Sequence, residues 1–210
     1  MRRPLTLLAA TAAATVAVAG IGLSAAPALA NRSARADQVI KLTFPVTGST
    51  FIKKINSSIS LGPGTLATTA DLTNSTLTAT LTLPPAIASF KELGFITVTA
   101  TTKLVQVGQA TGTFNLNANT VTTTATAMLQ LTSLNVGGIP IPVGSSCETS
   151  PATITVASQP GFTFGLGGNL AGTYTIPGFR HCGLATLLIN LTLPGPGNTI
   201  TLTLGAPTLG

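Results

Sequence analysis

Threonine alternates with aliphatic residues along most of this chain. In the segment STLTATLTL, Ser75 to Leu83, the aliphatic side chains Leu77, Ala79, Leu81 and Leu83 occupy every second position. The threonines between them fall on the opposite face. A period of two is the signature of a strand with one buried face, and threonine itself favours strands. The segment therefore predicts a strand with an apolar inner face and a hydroxyl-rich outer face.

The same alternation recurs from residue 39 onward and predicts many further strands. Clear strands are predicted at residues 95–107, 120–136, 153–157, 186–193 and 198–204, and weaker ones at 39–44, 51–55, 112–118 and 172–176. Turn signals separate them at VTGST, LGPGT, LPP, GLGGN and PGPGN, and NVGGIPIPV predicts a hairpin around Gly137 and Gly138 with a short edge strand after it.

These elements predict an all-β domain over residues 38–210. We expect an antiparallel sandwich or a barrel-like fold, with at most one short helix near residues 85–94. That helix is suggested by Ala86, Ile87, Phe90 and Leu93, which lie close to helical spacing, with Gly94 as a cap. A weak sub-boundary is predicted near Gly144.

The N-terminus has the features of a secretory signal peptide. MRRP is followed by the apolar stretch LTLLAATAAATVAVAGIGL, and the small residues Ala28 and Ala30 form a cleavage site. A second such site ends at Ala36. We predict a signal peptide over residues 1–30 and a flexible tail over residues 31–37. The protein is therefore predicted to be secreted, and either free outside the cell (extracellular) or associated with the cell surface. A retained membrane anchor is the alternative.

Charge is scarce and scattered. Charged residues make up 7% of the chain, and eight basic and four acidic side chains follow residue 30, for a net charge of +4. The basic residues form no stripe and no patch interleaved with aromatic residues, so the sequence does not favour a nucleic-acid partner. The predicted partners are cell-envelope components or further copies of this chain.

The inventory of reactive groups is small. His181 is the one histidine, and the carboxylates are Asp37, Asp71, Glu92 and Glu148. A hydrolase would have to use His181 with Asp71, or pair Asp71 with Glu148. Cys147, Cys182 and His181 lack the spacing typical of zinc ligands. We therefore predict no catalytic, cofactor-binding or metal-binding residue.

Cys147 and Cys182 are the two cysteines of the chain, and each lies beside a predicted turn. Two cysteines in an exported chain favour a disulfide, because the extracellular environment is oxidising. We predict a Cys147–Cys182 bridge, with His181 as a polar turn residue beside it. The bridge would close a loop that the chain-entropy estimate values at about 3–4 kcal/mol.

Several segments resemble a family of secreted β-rich domains from actinobacteria. They are LTFPVTGS, TLTLPP followed by FKELGFITVTATT, LTSLNVGGIPIPVGSSCET, and IPGFRHCG followed later by GPGNTITLTLGA. Where that family often has a cysteine two residues before the Phe-Pro pair, this chain has Leu42. The resemblance implies secretion and a β-fold, and it implies no activity.

Together these features predict a secreted, non-enzymatic protein with a structural or binding role at the cell envelope or outside the cell. A membrane pore is the first alternative, because threonine and leucine alternate over nine residues or more. A secreted hydrolase that uses His181 is the second. Binding to ice or a crystalline polymer through rows of threonine is the third.

Overall fold

The computed structural model describes residues 38–210. The predicted signal peptide, the tail at residues 31–37 and the two cleavage sites lie outside these residues. The described elements, in chain order, are β1 (Val39–Ile52), a 3-10 turn (Lys53–Ile55), β2 (Ser57–Asp71), β3 (Thr76–Thr82), β4 (Ala86–Glu92), β5 (Ile96–Gln106), β6 (Ala110–Asn115), β7 (Thr120–Val136), β8 (Ile139–Ile141), β9 (Glu148–Thr149), β10 (Ala152–Ser158), β11 (Gly168–Ile176), β12 (Phe179–Arg180), α1 (Ala185–Thr192), β13 (Gly195–Leu204) and β14 (Thr208–Leu209).

Eight of these strands close into an antiparallel barrel. Their order is β1, β2, β3, β6, β7, β10, β11 and β13, and β13 returns to β1. The long strand β7 links the strands β1–β6 to the later strands of the ring, because it pairs with β6 on one edge and with β10 on the other. The all-β, barrel-like prediction is confirmed. Closure leaves none of the eight strands with an unpaired edge along the ring, which protects them from edge-to-edge association.

Alternation decides which side chains fill the barrel. In β3, Leu77 and Ala79 are buried, whereas Thr76 and Thr80 are exposed. In the other strands, too, most inward positions are aliphatic or aromatic and most threonines face the outer surface, with Thr50, Thr68 and Thr149 as the buried threonines. The buried residues form two clusters, one around Phe44, Phe114 and Phe162 and one around the two cysteines. We call the two ends of the barrel the phenylalanine end and the cysteine end.

The sheet extends beyond the ring at the cysteine end. β5 pairs with β7 on the same edge as β6, so β5 and β6 form one long strand with a break at residues 107–109. β4 pairs with β5 and continues the direction of β3. The side chain of Gln106 fills the break: its Oε1 accepts from the Leu81 amide at 2.8 Å, and its Nε2 donates to the Ala79 carbonyl at 3.0 Å.

The one helix of the described residues is not where the sequence placed it. Residues 85–94 were expected to contain a helix, but Ala86–Glu92 is the strand β4, in which Ile87 is exposed and Ala88 is buried. Its backbone groups pair with β5 from Ala86–Thr102 to Glu92–Ile96, which a helix would not allow. The correct position is α1, inside a segment predicted as the strand 186–193. Within residues 38–210, no helix is both long enough and apolar enough to cross a bilayer.

Two predicted interruptions are also absent from the described chain. VTGST was expected to be a turn, but it lies within the single strand β1, where the register with β2 shifts only between Val46 and Gly48. LGPGT likewise lies within β2. Strands on both sides of Gly144 belong to the same ring, since β10 pairs with β7. The hairpin at Gly137 and Gly138 is confirmed, and both glycines have positive φ.

Candidate functional site: the apolar lumen of the barrel

The barrel encloses a cavity of about 270 Å³ at its phenylalanine end. Every one of the eight ring strands contributes inward-facing side chains to its wall, and these are almost all aliphatic or aromatic. Its size is close to the range of ligand pockets in proteins, and a barrel of eight strands whose interior is not filled by side chains has room for one small ligand. This cavity, which we call the large cavity, is the candidate functional site.

Small side chains keep the large cavity open. Ala79 of β3 lies directly opposite Ala110 of β6, and both are buried. Ala125 and Ala127 line the cavity from the neighbouring strand β7. Interiors are normally packed to crystal-like density, so a space of this size reflects alanines at positions where larger side chains would otherwise meet. The short side chains therefore create the cavity, while the backbone pairing around them is complete.

Aromatic side chains close the phenylalanine end. The connection between β10 and β11 folds inward and buries Phe162, whose ring meets Phe164 edge to face at 5.3 Å between centroids. Phe164 in turn meets Phe114 of β6 at 5.5 Å. Gly167 has a φ of 82°, and a Cβ at this position would collide with the carbonyl of Leu204. The glycine lets the connection lie close against β13 and hold its phenylalanines in the lumen.

A second cavity of about 80 Å³ continues the lumen toward the cysteine end. We call it the small cavity. Leu104, Ala127, Ile154 and Ile200 line both cavities, so the two spaces share a wall. Phe179 and Leu193 lie at the far side of the small cavity, next to β12 and α1. The apolar interior thus runs along most of the barrel.

Tyr174 supplies a polar group to the small cavity. Thr50 donates its hydroxyl hydrogen to the Thr199 carbonyl at 2.8 Å, so its oxygen accepts from the Tyr174 hydroxyl at 2.7 Å. Burial raises the pKa of Tyr174, and the hydrogen bond to Thr50 opposes part of that rise. The phenol is therefore held neutral, as expected in a wall that is mainly apolar.

Among the buried side-chain oxygen and nitrogen atoms of the described chain, the Thr68 hydroxyl is the one without a hydrogen-bond partner. Its side chain lines the large cavity, it is 8% exposed, and its Oγ1 has no hydrogen-bond partner. A buried hydroxyl left unpaired costs about 1–3 kcal/mol. Gln106 also lines the cavity, but its amide is occupied by the backbone at the break between β5 and β6. Thr123 of β7 also lines the cavity, but Thr68 is the residue whose hydroxyl is both fully buried and without a partner.

The cysteines predicted to pair are brought together. The sulfurs of Cys147 and Cys182 lie at disulfide-bonding distance, the Cα atoms are 4.4 Å apart, and both residues are fully buried. Cys147 directly precedes β9 and Cys182 follows β12, and these two strands pair with each other. The bridge fastens the segment that leads into α1.

His181 lies next to this bridge but points to no reactive partner. It is exposed, and its φ of 60° places it in the left-handed region, in a turn between β12 and α1. Histidine is one of the non-glycine residues that adopt left-handed conformations several-fold more often than most others. Its position is consistent with the predicted role of a turn residue.

The two carboxylates considered for a hydrolase lie at opposite ends of the barrel. Asp71 ends β2 at the phenylalanine end, where it accepts hydrogen bonds from the side chain and backbone of Asn74. These bonds lower the pKa of Asp71. Glu148 lies in β9, at the cysteine end, opposite Arg180. In residues 38–210, no three side chains of histidine, cysteine, aspartate or glutamate gather at metal-binding distance.

Sequence reasoning missed the lumen, although one signal for it was present. Inward positions of the strands are predicted correctly by alternation, and several of them hold alanine, namely Ala70, Ala79, Ala110, Ala125 and Ala127. A high share of alanine at inward positions indicates spare volume. Which alanines face one another depends on pairing between strands far apart in sequence, and alternation along one strand does not contain that information.

Comparisons with protein families, curated proteins and solved structures found no match. The resemblance to secreted actinobacterial domains therefore stays a prediction.

Proposed function

We propose that this protein is a secreted, non-enzymatic binding protein that encloses an apolar ligand in its barrel. The observation that carries the proposal is the large cavity of about 270 Å³, lined by side chains from all eight ring strands. Apolar cavities in proteins remain dry, and an engineered cavity of about 150 Å³ admits benzene. By that measure, the large cavity accommodates a molecule nearly twice the size of benzene, such as a medium-length acyl chain.

Thr68 refines the chemistry of this ligand. An unpaired hydroxyl in an apolar wall favours a ligand that offers one hydrogen-bonding oxygen over a pure hydrocarbon, because the ligand then satisfies both groups. A fatty alcohol, acid or ester meets this requirement. Sugars and nucleotides do not, since most of their polar groups would be left without partners in this lumen.

The direction of the side chains favours this role over a membrane pore. A pore needs apolar residues toward lipid and polar residues toward its channel. In this barrel the lumen is lined mainly by aliphatic residues and most threonines face outward, as Leu77 and Thr76 illustrate. Asp71 lies at the opposite end of the barrel from both His181 and Glu148, so neither the His181–Asp71 pair nor the Asp71–Glu148 pair that a hydrolase would use is assembled.

Tyr174 provides a direct assay for the proposed binding. It is the one tyrosine, the chain has no tryptophan, and its ring lines the small cavity. We expect decanol to change the intrinsic fluorescence of the protein in a saturable way, and maltose to leave it unchanged. Native mass spectrometry of the purified protein would give the stoichiometry, expected to be one ligand per chain.

Matched variants separate lumen binding from adsorption to the surface. Ala79→Phe places a ring in the large cavity and is expected to abolish decanol binding, whereas Ala67→Phe adds the same ring on the exposed face of β2 and is expected to have no effect. Thr68→Val keeps the shape of the wall and is expected to weaken decanol binding about ten-fold while sparing decane. Equal binding by the two phenylalanine variants would refute the proposal.

A further inference from the structure

Helix α1 carries apolar side chains on both of its faces. Ala185 and Ile189, one turn apart, are buried against the barrel. The opposite face is formed by Leu184 (fully exposed), Leu187 (72% exposed), Leu188 (46%) and Leu191 (65%). These four positions follow the spacing i, i+3, i+4 and i+7, which defines one stripe of a helix. We call them the leucine face.

The leucine face is unusual because helices that are apolar all round are normally buried. Surface helices present charged or polar residues to water, and α1 has only Thr186, Asn190 and Thr192 for that purpose. The Asn190 amide is used to hold β12, accepting from the Phe179 amide at 2.7 Å and donating to the Phe179 carbonyl at 2.9 Å. No described residue of the chain covers the leucines.

Positive charge lies beside this face. Lys53 and Lys54 are both exposed, and Lys54 Nζ donates to the carbonyl of Pro194, just after α1, at 3.3 Å. The Lys53 side chain lies along Gly197. No acidic side chain occurs from residue 149 to residue 210. Arg180 of β12 lies opposite Glu148 of β9, whereas the two lysines have no acidic residue as a strand-pair partner and lie at the end of α1.

We propose that the leucine face, with Lys53 and Lys54, docks this protein on an anionic lipid bilayer. Apolar side chains on a short helix enter the boundary between headgroups and acyl chains, and flanking lysines are attracted by anionic headgroups. The proposal rests on the outer surface of the barrel and does not depend on a ligand in the lumen.

A second copy of the chain is the competing occupant, and two features count against it. Eight residues make a helix about 12 Å long and about 10 Å wide, whereas a stable dimer buries about 800 Å² on each partner. A twofold contact through the same face would also bring two pairs of lysines together, and like charges repel. A bilayer satisfies both the leucines and the lysines.

Vesicle cosedimentation tests the proposal with a chain that begins at Gln38. This chain contains the complete closed barrel and both core clusters, and it omits an N-terminal apolar stretch that would bind vesicles by itself. Circular dichroism checks that each variant is folded. We expect binding to vesicles that contain phosphatidylglycerol, weaker binding to phosphatidylcholine alone, and a decrease with added salt.

Two pairs of variants test the two components separately. Leu187→Ser with Leu191→Ser is expected to weaken binding at least ten-fold, whereas Leu166→Ser with Leu209→Ser, at positions of similar exposure elsewhere on the barrel, is expected to leave it unchanged. Lys53→Gln with Lys54→Gln is expected to weaken binding to anionic vesicles roughly thirty-fold, and Lys41→Gln with Lys103→Gln to change it little.

Three results would overturn the proposal. One is equal loss of binding in the control and test variants. Another is equal binding to anionic and neutral vesicles. The third is a dimer in sedimentation velocity that Leu187→Ser with Leu191→Ser dissociates, because the leucine face would then be occupied by a second copy. All the exchanged side chains are exposed, so the variants are expected to fold.

Discussion

Replacing Ala110 by leucine tests whether the lumen is empty space. Each Å³ of empty cavity lowers the free energy of unfolding by about 24 cal/mol. A cavity of about 270 Å³ therefore lowers the stability of the ligand-free protein by roughly 6 kcal/mol relative to a filled interior. Ala110 lines this cavity and is buried. Leucine adds three carbon atoms, worth about 0.8 kcal/mol each when buried, and loses about 0.5–1 kcal/mol of rotamer entropy.

The expected result is a stabilisation of about 2 kcal/mol. For a domain of this size, that corresponds to an increase of roughly 4–8 °C in the melting temperature, measured by circular dichroism or calorimetry. The same substitution is expected to weaken decanol binding, because the added side chain occupies the site. Stability and affinity would therefore change in opposite directions.

Two controls make the sign of the effect informative. Ala185→Leu adds the same atoms beside the disulfide, at a buried position that lines neither cavity, and is expected to cost about 1–3 kcal/mol through overpacking. Ala67→Leu adds them on the exposed face of β2 and is expected to change stability by less than about 0.5 kcal/mol. If Ala110→Leu destabilises the protein as Ala185→Leu does, the lumen is packed and the reasoning is wrong.

Three further predictions concern single residues. Replacing Cys147 or Cys182 by serine is expected to lower the free energy of unfolding by about 3–4 kcal/mol and the melting temperature by roughly 10 °C. Two free thiols in a titration of the unfolded, unreduced wild type would contradict this prediction. His181→Ala is expected to change stability little, whereas His181→Gly, which suits the φ of 60°, is expected to add about 0.5–1 kcal/mol in urea denaturation. The phenolate absorbance of Tyr174 is expected to titrate above its ordinary pKa of about 10, because burial disfavours the charged form. Since the tyrosine of the unfolded chain ionises first, the free energy of unfolding is expected to fall as the pH rises above about 10.

Alternation predicts the strands of this chain well where one face is buried. The segment 120–136 was predicted from its pattern alone and is β7 without a change at either end. The segment 95–107 differs from β5 by one residue at each end. In both, inward residues pack in a core and outward residues meet water, so the physical cause of the pattern is present in the structure.

The helix was misplaced because short apolar runs fit both periods. TLLINLTL has aliphatic residues on every side, so its strand-like and helix-like patterns are equally strong. What decides between them is tertiary: the disulfide fixes Cys182 just before α1, and Ile189 fills the second core cluster. In PPAIASFKELG the opposite happens, because β5 offers a strand edge that binds the segment.

The cavity in the lumen is harder to predict from the sequence than the strands are. Ala79 and Ala110 are 31 positions apart and face each other only because β3 pairs with β6. Thr68 looks like one more threonine of an alternating strand, yet it faces inward between Leu66 and Ala70. Whether Thr68 is buried depends on which face of β2 points into the barrel at this position, and the residue type alone does not determine that face. The exposed leucines of α1 are likewise recognised only after the segment is known to be a helix.

The pairing of β1 with β13 determines when the barrel can be completed during folding. Val46 pairs with Leu204, so the first strand of the ring meets its second neighbour only when nearly the whole chain has been synthesised. Contacts between residues so far apart in sequence form slowly, because a long loop must close before they contribute free energy. Until then, one edge of β1 is open to pairing with other chains, which is the usual origin of aggregation in strand-rich intermediates. The ten residues of β13 therefore convert an aggregation-prone open sheet into a protected barrel in the last stage of folding.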